Sequence, residues 1–413
     1  MKTSAILLAA AALLAFIPSC KKADTRPRVL VSSDIGGTDP DDNQSMAHLL
    51  MFSDFFRLEG LVSSPSYGNG TKGEIERMIG LYEKDYPALK EHAPNLATPD
   101  YLRSICKQGR HGMPSPKGWG EPTEGSEWII ECARRKSDSP LWVLVWGGIE
   151  DVAQALHDAP DILPHIRVYW IGGPNKKWGV NAYAYLAQNF PDLWIIENNS
   201  AYRGFISRDT VTVKGTGALG ADFPRYYKGV PKMGDTPSVL YMMDGDPNDP
   251  TADSWGGSFE HLGFSPHNTF ARDLTLQDTV RVYSVMDMIF DGPEIDVPED
   301  SVVFTMTTDR QNWPGYYIGG GRYMVRYSPK QEAVLHYTTR SALRALDGHE
   351  GDFVVNNIWP GQQGPEDFPL GADWYSDLRD PAAFQGRWQG AETVRKHRQE
   401  VLDLWDERWG WLK

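Results

Sequence analysis

The sequence predicts an α/β fold in which a mostly parallel sheet is flanked by helices and followed by an irregular C-terminal cap. From residue 28 onwards, short runs of β-branched and apolar residues alternate with longer segments of helical period. The runs are apolar at nearly every position, which is typical of strands covered by helices on both faces. Three predicted strands lead into loops rich in Asp, Asn, Ser or Gly, where the ligand site of such a sheet is expected.

The elements follow one another in chain order. The predicted strands have β-branched, aliphatic or aromatic residues at consecutive positions: RVLVSSD, RLEGLVSSPS, PLWVLVW, HIRVYWIGG and DLWIIEN. The predicted helices have apolar residues three or four positions apart: QSMAHLLMFSDFF, KGEIERMIGLYEKDYPAL, TEGSEWIIECARR, IEDVAQALHDA and NAYAYLAQNF. After residue 255 this alternation stops. There, TVRVYSVMDMIF and GRYMVRYS predict strands, and GAETVRKHRQEVLDLWDERWGWL predicts a closing amphipathic helix.

Composition narrows the class of protein. The 413 residues carry a formal net charge of −14, and 41% of them are hydrophobic. Such a chain can bury one large core or two modest ones. Nucleic-acid binding is not expected, because phosphate recognition requires clustered Lys and Arg. The sequence leaves a homo-oligomer open.

The N-terminus is typical of an export signal. Lys2 precedes an apolar run over residues 5–18 that is short for a membrane span, and Cys20 follows almost at once. This predicts a lipoprotein signal peptide over residues 1–19 and a tether over residues 20–27 that begins with lipidated Cys20. The alternative is an ordinary secretory signal with an incidental cysteine. The expected location is the bacterial cell envelope, with the protein lipid-anchored in the periplasm or outer membrane.

The two other cysteines, Cys106 and Cys132, match no metal-binding spacing and have no sequence context of a nucleophile. A disulfide between them is compatible with an oxidising compartment. Structural thiols without reactivity are the favoured interpretation.

The loop after the first predicted strand, VSSDIGGTDPDDNQS, contains four aspartates within nine positions, from Asp34 to Asp42. Crowded carboxylates repel one another and are costly to ionise together unless a cation neutralises them. Oxygen ligands favour Ca²⁺ or Mg²⁺, and the glycines permit a close approach of the backbone to an ion. The spacing does not match an EF-hand. An Asp-rich turn without an ion is the alternative, since Asp, Gly and Pro are common turn residues.

The same loop carries a resemblance to a known family. SSDIGGTDPDDNQSMAHLL is similar to the N-terminal signature of nucleoside hydrolases, and more closely to the nucleoside-hydrolase-like domains of a cellulose-binding-protein branch. LEGLVSSPSYGNG, PLWVLVWGGIEDVAQAL and GDTPSVLYMMDGDPNDPTADSWGG resemble further motifs of that branch, in the same order. The resemblance covers residues 28–413 and is weakest at roughly 260–340. It implies one nucleoside-hydrolase-like domain with a divergent insertion over the weak range.

The resemblance implies Ca²⁺ as the cofactor and assigns roles to the first aspartates. By motif position, Asp34 holds the ion and acts on the attacking water, Asp42 chelates the ion, and Asp41 binds sugar hydroxyls. The gap between Asp34 and the aspartate pair is longer here than in ordinary nucleoside hydrolases. Asp39 is therefore an alternative ligand, and the register of the loop stays open.

Other site residues implied by the resemblance lie further along the chain. Glu150 stands where the family provides a backbone carbonyl to the ion. Asp235, before TPSVLYMM, is the candidate late metal ligand, with Asp246 as the alternative. Asn69 and Asn181 lie near sugar-binding asparagines of the family, although turn and helix-cap roles also fit them.

One departure from the family concerns the leaving group. Many nucleoside hydrolases have a histidine directly before the late aspartate, and that position is Gly234 here, or Gly245 before Asp246. A purine or pyrimidine would therefore lack its expected general acid. Three histidines in Gly- or Pro-rich segments are candidate substitutes: His111, His261 and His267.

Six tryptophans lie among Gly, Pro, Asn or Asp and are predicted in loops: Trp119, Trp178, Trp255, Trp313, Trp359 and Trp374. Exposed indole rings stack on sugar rings, so the group favours a carbohydrate ligand. For each one singly, cover over the edge of a core is the alternative.

Together these observations predict a Ca²⁺-dependent hydrolase of N- or O-glycosidic bonds, with a nucleoside, a furanoside or a glycan-derived glycoside as substrate. The alternative is a non-catalytic lipoprotein that binds a cellulose-like polysaccharide, which the missing histidine favours. A metal-dependent phosphoesterase is a weaker alternative, because no basic or Gly-rich phosphate cradle is evident.

Overall fold

The computed structural model describes residues 24–37, 39–65, 67, 70–206, 212–213 and 215–413. The strands in this part of the chain are β1 (Arg28–Ser33), β2 (Arg57–Ser63), β3 (Cys106–Gln108), β4 (Leu141–Val145), β5 (Ile166–Ile171), β6 (Ile195–Asn198), β7 (Phe259–His261), β8 (Phe264–Ser265), β9 (His267–Phe270), β10 (Thr279–Arg281), β11 (Val285–Asp291), β12 (Val302–Thr308), β13 (Gln311–Tyr317), β14 (Arg322–Tyr327), β15 (Ala333–Ser341), β16 (Glu350–Asn356), β17 (Phe368–Pro369) and β18 (Trp374–Asp377). The α-helices are α1 (Asp41–Met51), α2 (Lys72–His92), α3 (Pro99–Ser104), α4 (Glu124–Arg134), α5 (Glu150–Asp158), α6 (Lys176–Asn189), α7 (Gly217–Asp222), α8 (Thr236–Asp244), α9 (Ala391–Arg395) and α10 (Arg398–Gly410).

Eight strands form the sheet that positions the site. Their order is β3-β2-β1-β4-β5-β6-β18-β7, and neighbouring strands run parallel except β18 and β7. The chain passes from β1 outward to β2 and β3 and then returns to β4 on the other side of β1. In such a sheet, the usual ligand site is the crevice at the carboxyl ends where the strand order reverses. This arrangement confirms the predicted α/β fold class.

The sheet separates two hydrophobic cores, because successive side chains on a strand point to opposite faces. On β1, Leu30 belongs to one core, whereas Val29 and Val31 belong to the other. Met46 and Leu50 of α1 pack into the core of Val31. Burial on both faces explains why the strands of this sheet are apolar at nearly every position.

A second sheet is inserted at one edge of the first. Residues 262–373, here called the β insertion, lie between β7 and β18, which pair with each other. They form a mostly antiparallel sheet of order β10-β16-β15-β12-β13-β14-β11-β9 and a ribbon of β8 and β17. Tyr327 and Phe353 of the β insertion share a hydrophobic core with Val145 and Trp170 of the first sheet. The β insertion is therefore packed onto the α/β part through a common core.

Local pattern predicts only part of the β insertion. TVRVYSVMDMIF contains β10 and β11, and GRYMVRYS contains β14. The other strands are not evident from the sequence, because polar or turn-forming residues interrupt the apolar alternation. In β13, for example, Asn312, Pro314 and Gly315 lie within a single strand, although such residues are depleted in strands.

The closing helix predicted as one element is two helices. α9 ends at Arg395 and α10 begins at Arg398. Between them, Lys396 Nζ and His397 Nε2 both contact Asp253 Oδ1, at 2.7 and 3.1 Å. The prediction of one continuous helix is wrong, because the helix is interrupted at Lys396 and His397, which the helical period of the sequence does not encode.

Three further predictions concern the N-terminal signal and Asn69, the cysteines, and membrane-spanning helices. The expected signal peptide, Cys20 and Asn69 lie outside the described residues. Cys106 and Cys132 are buried free thiols, in agreement with the favoured interpretation. Within the described part of the chain, the helices are all too short or too polar to cross a membrane.

His48 on α1 is a buried imidazole whose two ring nitrogens have no hydrogen-bond partner in the described structure. It packs against Phe52 and Trp405, with ring centroids 4.6 and 5.3 Å away. Burial, together with the charge of Arg408, lowers the pKa of His48 to about 3. In the unfolded chain the imidazole binds a proton near its ordinary pKa of about 6.5. Between these two values the unfolded state binds more protons, so stability falls as the pH falls.

We expect His48→Leu to remove this contribution. Between pH 7 and pH 5, the wild-type protein should lose about 2 kcal/mol more unfolding free energy than the variant. Urea unfolding of both proteins at the two pH values measures the difference. Equal losses in the two proteins would contradict a neutral, buried His48.

Candidate functional site

A cavity of about 550 Å³ opens at the carboxyl ends of the central strands. Its walls come from the segments after β1, β4, β5 and β6, from the loop before α8, from the β insertion and from the segment before α9. The cavity thus lies where the strand order reverses, which is the general position of ligand sites in open α/β sheets.

The bottom of the cavity is formed by four aspartates from three segments, here called the acidic floor: Asp34, Asp41, Asp42 and Asp235. Asp34 follows β1, the aspartate pair opens α1, and Asp235 directly precedes α8. Carboxylate oxygens of Asp41, Asp42 and Asp235 lie within 4.8 Å of one another. Asp39 is exposed at the edge of the same cavity and is not part of this three-carboxylate cluster. The fold therefore brings Asp235 from far along the chain to the aspartates of the first loop.

Buried polar side chains hold the acidic floor in place. Gln44 on α1 accepts a hydrogen bond of 2.8 Å from the backbone N–H of Lys232, which fixes the segment leading to Asp235 against α1. The hydroxyl of Ser33, at the end of β1, donates to the carboxylate of Asp42. These contacts keep the carboxylates close together in spite of their mutual repulsion.

The carboxylates of the floor are poorly compensated by the protein. Burial raises the pKa of Asp34 to about 7, against the opposing effect of a hydrogen bond with Asp42. Burial and the neighbouring carboxylates hold the pKa values of Asp41, Asp42 and Asp235 well above the usual range. Asp235 is only 3% exposed, and its Oδ2 has no hydrogen-bond partner in the described structure. Because buried like charges and unpaired oxygens are costly, this donor set fits a hard divalent cation.

Two glycines leave room for the floor. A Cβ on Gly147, just after β4, would lie 2.7 Å from the Cβ of Asp34. A Cβ on Gly234 would lie 2.4 Å from Oδ2 of Asp41. A side chain at position 234 would therefore displace the Asp41 carboxylate from its present position.

The rim of the cavity combines aromatic rings with cations. Trp178 on α6 stacks on Tyr67 with 5.1 Å between ring centroids, and Lys330 Nζ lies 5.3 Å from the Trp178 ring. Lys330 and Gln331 belong to the loop between β14 and β15. The β insertion therefore supplies part of the cavity wall.

Trp388, in the segment before α9, is a further aromatic residue at the rim. The guanidinium carbons of Arg203 and Arg387 lie 4.7 and 4.4 Å from its ring. We call these three residues the arginine clamp. Both arginines line the cavity together with the floor.

Several residues predicted for the site lie elsewhere. Asp246 follows the far end of α8 and does not line the cavity. Asn181 donates its side-chain amide to the carbonyl of Pro114 at 2.8 Å. Glu150 is buried in the first turn of α5, where burial raises its pKa to about 8. Neither of these two side chains lines the cavity. The role of Glu150 was assigned to its backbone carbonyl and stays a prediction, and Asn69 lies outside the described residues.

The histidines and tryptophans chosen from the sequence are mostly not at the cavity. Among the described lining residues there is no histidine, so His111, His261 and His267 all lie elsewhere. Of the six tryptophans, Trp178 lines the cavity. Trp313 and Trp374 are buried within β13 and β18. The loop prediction is wrong for these two, which belong to the hydrophobic core, and for Trp178, which lies in α6. Local Gly and Pro content does not reveal these positions.

Sequence reasoning missed most of the rim. Trp146 directly follows β4 and Asn175 follows β5, so their positions at the carboxyl ends of predicted strands were a usable signal. The local sequence around the residues of the arginine clamp does not indicate that they line a cavity. Arg203 lies in a short 3-10 helix after β6, and Arg387 and Trp388 lie in the segment before α9. Only the folded chain brings these two segments together.

The parallel sheet, with an aspartate cluster at the carboxyl end of its first strand, is that of a nucleoside-hydrolase-like protein. Residues 28–259, more than half of the chain, match the family model described as Cellulose-binding Sde182, nucleoside hydrolase-like domain. The chain belongs to this family, which confirms the resemblance inferred from the motifs. Residues 279–342, within the β insertion, match a second model, described as Domain of unknown function (DUF5060).

Two solved structures are similar to parts of the chain. A nucleoside hydrolase-related hypothetical protein from Saccharophagus degradans that is associated with carbohydrate metabolism is 21% identical, over 80% of this chain and 99% of that chain, with a TM-score of 0.49. An inosine-uridine preferring nucleoside hydrolase from Bacillus anthracis is 14% identical, over 59% of this chain and 87% of that chain, with a TM-score of 0.35. No curated protein matches the chain significantly.

Proposed function

We propose that the protein is a Ca²⁺-dependent hydrolase of glycosidic bonds, acting on a carbohydrate or nucleoside substrate in the bacterial cell envelope. The observation that carries this proposal is the acidic floor, where three carboxylates lie within 4.8 Å and one buried oxygen has no partner. The family supports it through a nucleoside hydrolase-like fold and a cellulose-binding name. The envelope location rests on the expected signal peptide and on lipidation of Cys20.

In this proposal, the aspartates of the acidic floor have different roles in binding the ion, the sugar and the attacking water. Asp42 and Asp235, two members of the three-carboxylate cluster, would hold the ion together with Asp34, whose carboxyl group is hydrogen-bonded to that of Asp42. When bound, the ion would supply Lewis-acid polarisation of sugar hydroxyls and of a water molecule. Asp41 is half-buried and faces the cavity, which suits hydrogen bonding to sugar hydroxyls. Asp34, at the end of β1, would accept the proton of the attacking water.

The rest of the cavity would position the substrate. The stacked pair of Trp178 and Tyr67 offers an aromatic face to a sugar ring. The carboxylates of the floor would stabilise positive charge at the anomeric carbon in the transition state. Because the described lining residues include no histidine, a glycoside whose leaving group needs little protonation fits better than a purine nucleoside.

A second candidate function is sugar binding without catalysis. It is favoured by Gly234, which stands where many nucleoside hydrolases have the histidine that protonates the leaving base. The family name, which refers to cellulose binding, agrees with it. In this case the acidic floor and the aromatic rim would bind a cellulose-like polysaccharide and release it unchanged.

Calorimetric titration of residues 24–413 with Ca²⁺ tests the proposal. We expect a dissociation constant on the order of micromolar or below, and no binding by Asp42→Ala. The loaded protein is then screened for release of reducing sugar from nucleosides, furanosides and glycan fragments. Absence of Ca²⁺ binding by the wild-type protein would overturn the metal-dependent mechanism. Binding of Ca²⁺ and sugar without turnover would favour the non-catalytic alternative.

A further inference from the structure

Four cationic side chains line the cavity around the acidic floor: Arg203, Lys232, Lys330 and Arg387. Among the described residues, no carboxylate oxygen lies within 4.0 Å of a side-chain nitrogen of these four residues, so none of them forms an ion pair there. By contrast, Lys177 next to Trp178 is paired with Asp309 at 2.6 Å. The chain has 55 acidic and 41 basic residues. Four unpaired cations around one cavity of such a chain indicate a ligand of opposite charge.

Aromatic rings hold the cations in place of carboxylates. Arg203 and Arg387 contact the ring of Trp388, and Lys232 Nζ lies 4.4 Å from the ring of Tyr227. A ring attracts a cation through its π-electrons and leaves the N–H groups free to donate to a ligand. The rim thus presents positioned donors to the cavity.

The arginine clamp has the chemistry of an anion site. A guanidinium group offers parallel N–H donors that match the oxygens of a carboxylate or a phosphate. The clamp and the acidic floor line the same cavity. A sugar whose hydroxyls bind the floor and whose anionic group reaches the clamp would satisfy both.

We infer that the ligand of this site is an anionic glycoside, whose carboxylate or phosphate group is bound by Arg203 and Arg387. A uronic-acid glycoside supplies the carboxylate, and a nucleotide or sugar phosphate supplies the phosphate. The inference rests on the proposed glycoside site and specifies its substrate class.

Matched neutral and anionic ligands test this inference. Calorimetry in the presence of Ca²⁺ compares methyl β-D-glucuronide with methyl β-D-glucoside, and inosine 5′-monophosphate with inosine. We expect at least one anionic ligand to bind about tenfold more tightly than its neutral counterpart. This preference should decrease as the ionic strength rises. Preference within the first pair assigns the carboxylate, and preference within the second assigns the phosphate.

The variant Arg387→Gln locates the preference, and Arg379→Gln is its control. Arg379 is an exposed arginine that pairs with Glu260 and does not line the cavity. We expect Arg387→Gln to lower the affinity for the anionic ligand about tenfold, and Arg379→Gln to leave it unchanged. A Ca²⁺ titration of Arg387→Gln checks that the variant is folded.

Three results would overturn the inference: equal binding of neutral and anionic ligands, a preference that survives Arg387→Gln, or no binding of any of the four ligands. Failure of the proposed hydrolase has a different signature. Loss of Ca²⁺ binding with a retained preference for anionic ligands would reject the metal mechanism and leave this inference standing. Binding of Ca²⁺ with a preference for neutral sugars would reject this inference and leave the metal mechanism standing.

Discussion

Asp235→Asn is expected to weaken Ca²⁺ binding by about 100-fold or more. Asp235 is almost completely buried, its carboxylate lies within 4.8 Å of those of Asp41 and Asp42, and its Oδ2 has no partner. Asparagine keeps the shape of the side chain but removes one negative charge. Since it also relieves repulsion within the floor, the metal-free variant should melt at a higher temperature than the metal-free wild-type protein. Calorimetry gives the affinity, and thermal unfolding with and without Ca²⁺ gives the two melting temperatures.

Asp246→Asn is the matched control for this prediction. Asp246 lies beyond the opposite end of α8, and its Oδ1 accepts a hydrogen bond of 2.8 Å from the backbone N–H of Asn248. The Asp246→Asn variant should bind Ca²⁺ with the same affinity as the wild-type protein. If Asp246→Asn lost the ion and Asp235→Asn kept it, the ligand set proposed for the floor would be incorrect.

Lys176→Met is expected to lower the unfolding free energy by about 3–5 kcal/mol. Lys176 and Glu197 form an ion pair whose side chains are both 0% exposed. Glu197 also accepts hydrogen bonds from the hydroxyl of Tyr183 and the indole N–H of Trp374, each at 2.9 Å. Removal of the ammonium group leaves this carboxylate buried without a counter-charge. Denaturant unfolding of the wild-type protein and the variant measures the loss.

An exposed ion pair provides the control for Lys176. Lys72 contacts Glu124 at 3.3 Å, and their side chains are 39% and 45% exposed. Because solvent screens such a pair, Lys72→Met should cost no more than about 1 kcal/mol. In the Lys176→Met background, Glu197→Gln should recover part of the lost stability by removing the unpaired charge. A cost of less than about 1 kcal/mol for Lys176→Met would contradict the importance of the buried pair.

The β insertion forms part of the cavity wall around Trp178. It shares a core with the α/β part, and its loop between β14 and β15 brings Lys330 to the ring of Trp178. Lys177, beside Trp178 on α6, is paired with Asp309 at the turn between β12 and β13. Trp178 is thus held between two segments of the β insertion. An element that is poorly visible in the sequence therefore shapes the wall against which a sugar ring would stack.

The sequence by itself determined the sheet and the first loop of the site. Strands buried on both faces leave a continuous apolar signal, so β1, β2, β4, β5 and β6 could all be recognised from local pattern. Asp34, Asp41 and Asp42 follow the first strand within a few positions. Their meeting at one edge of the sheet follows from strand direction alone, and the departure at Gly234 was equally visible in the sequence.

The tertiary structure decided which distant residues complete the cavity. The sequence favoured Asp235 over Asp246 as the late ligand without excluding Asp246, since both aspartates follow a glycine. In the structure Asp235 lines the cavity at the start of α8, and Asp246 lies beyond the other end of this helix. Trp178 and Trp313 both lie among turn-forming residues, yet one lines the cavity and the other is buried in β13. The clamp of Arg203 with Arg387 joins segments on either side of the β insertion. Such outcomes depend on which surfaces the packed elements cover, and the free energy of that packing is not a property of any short stretch of sequence.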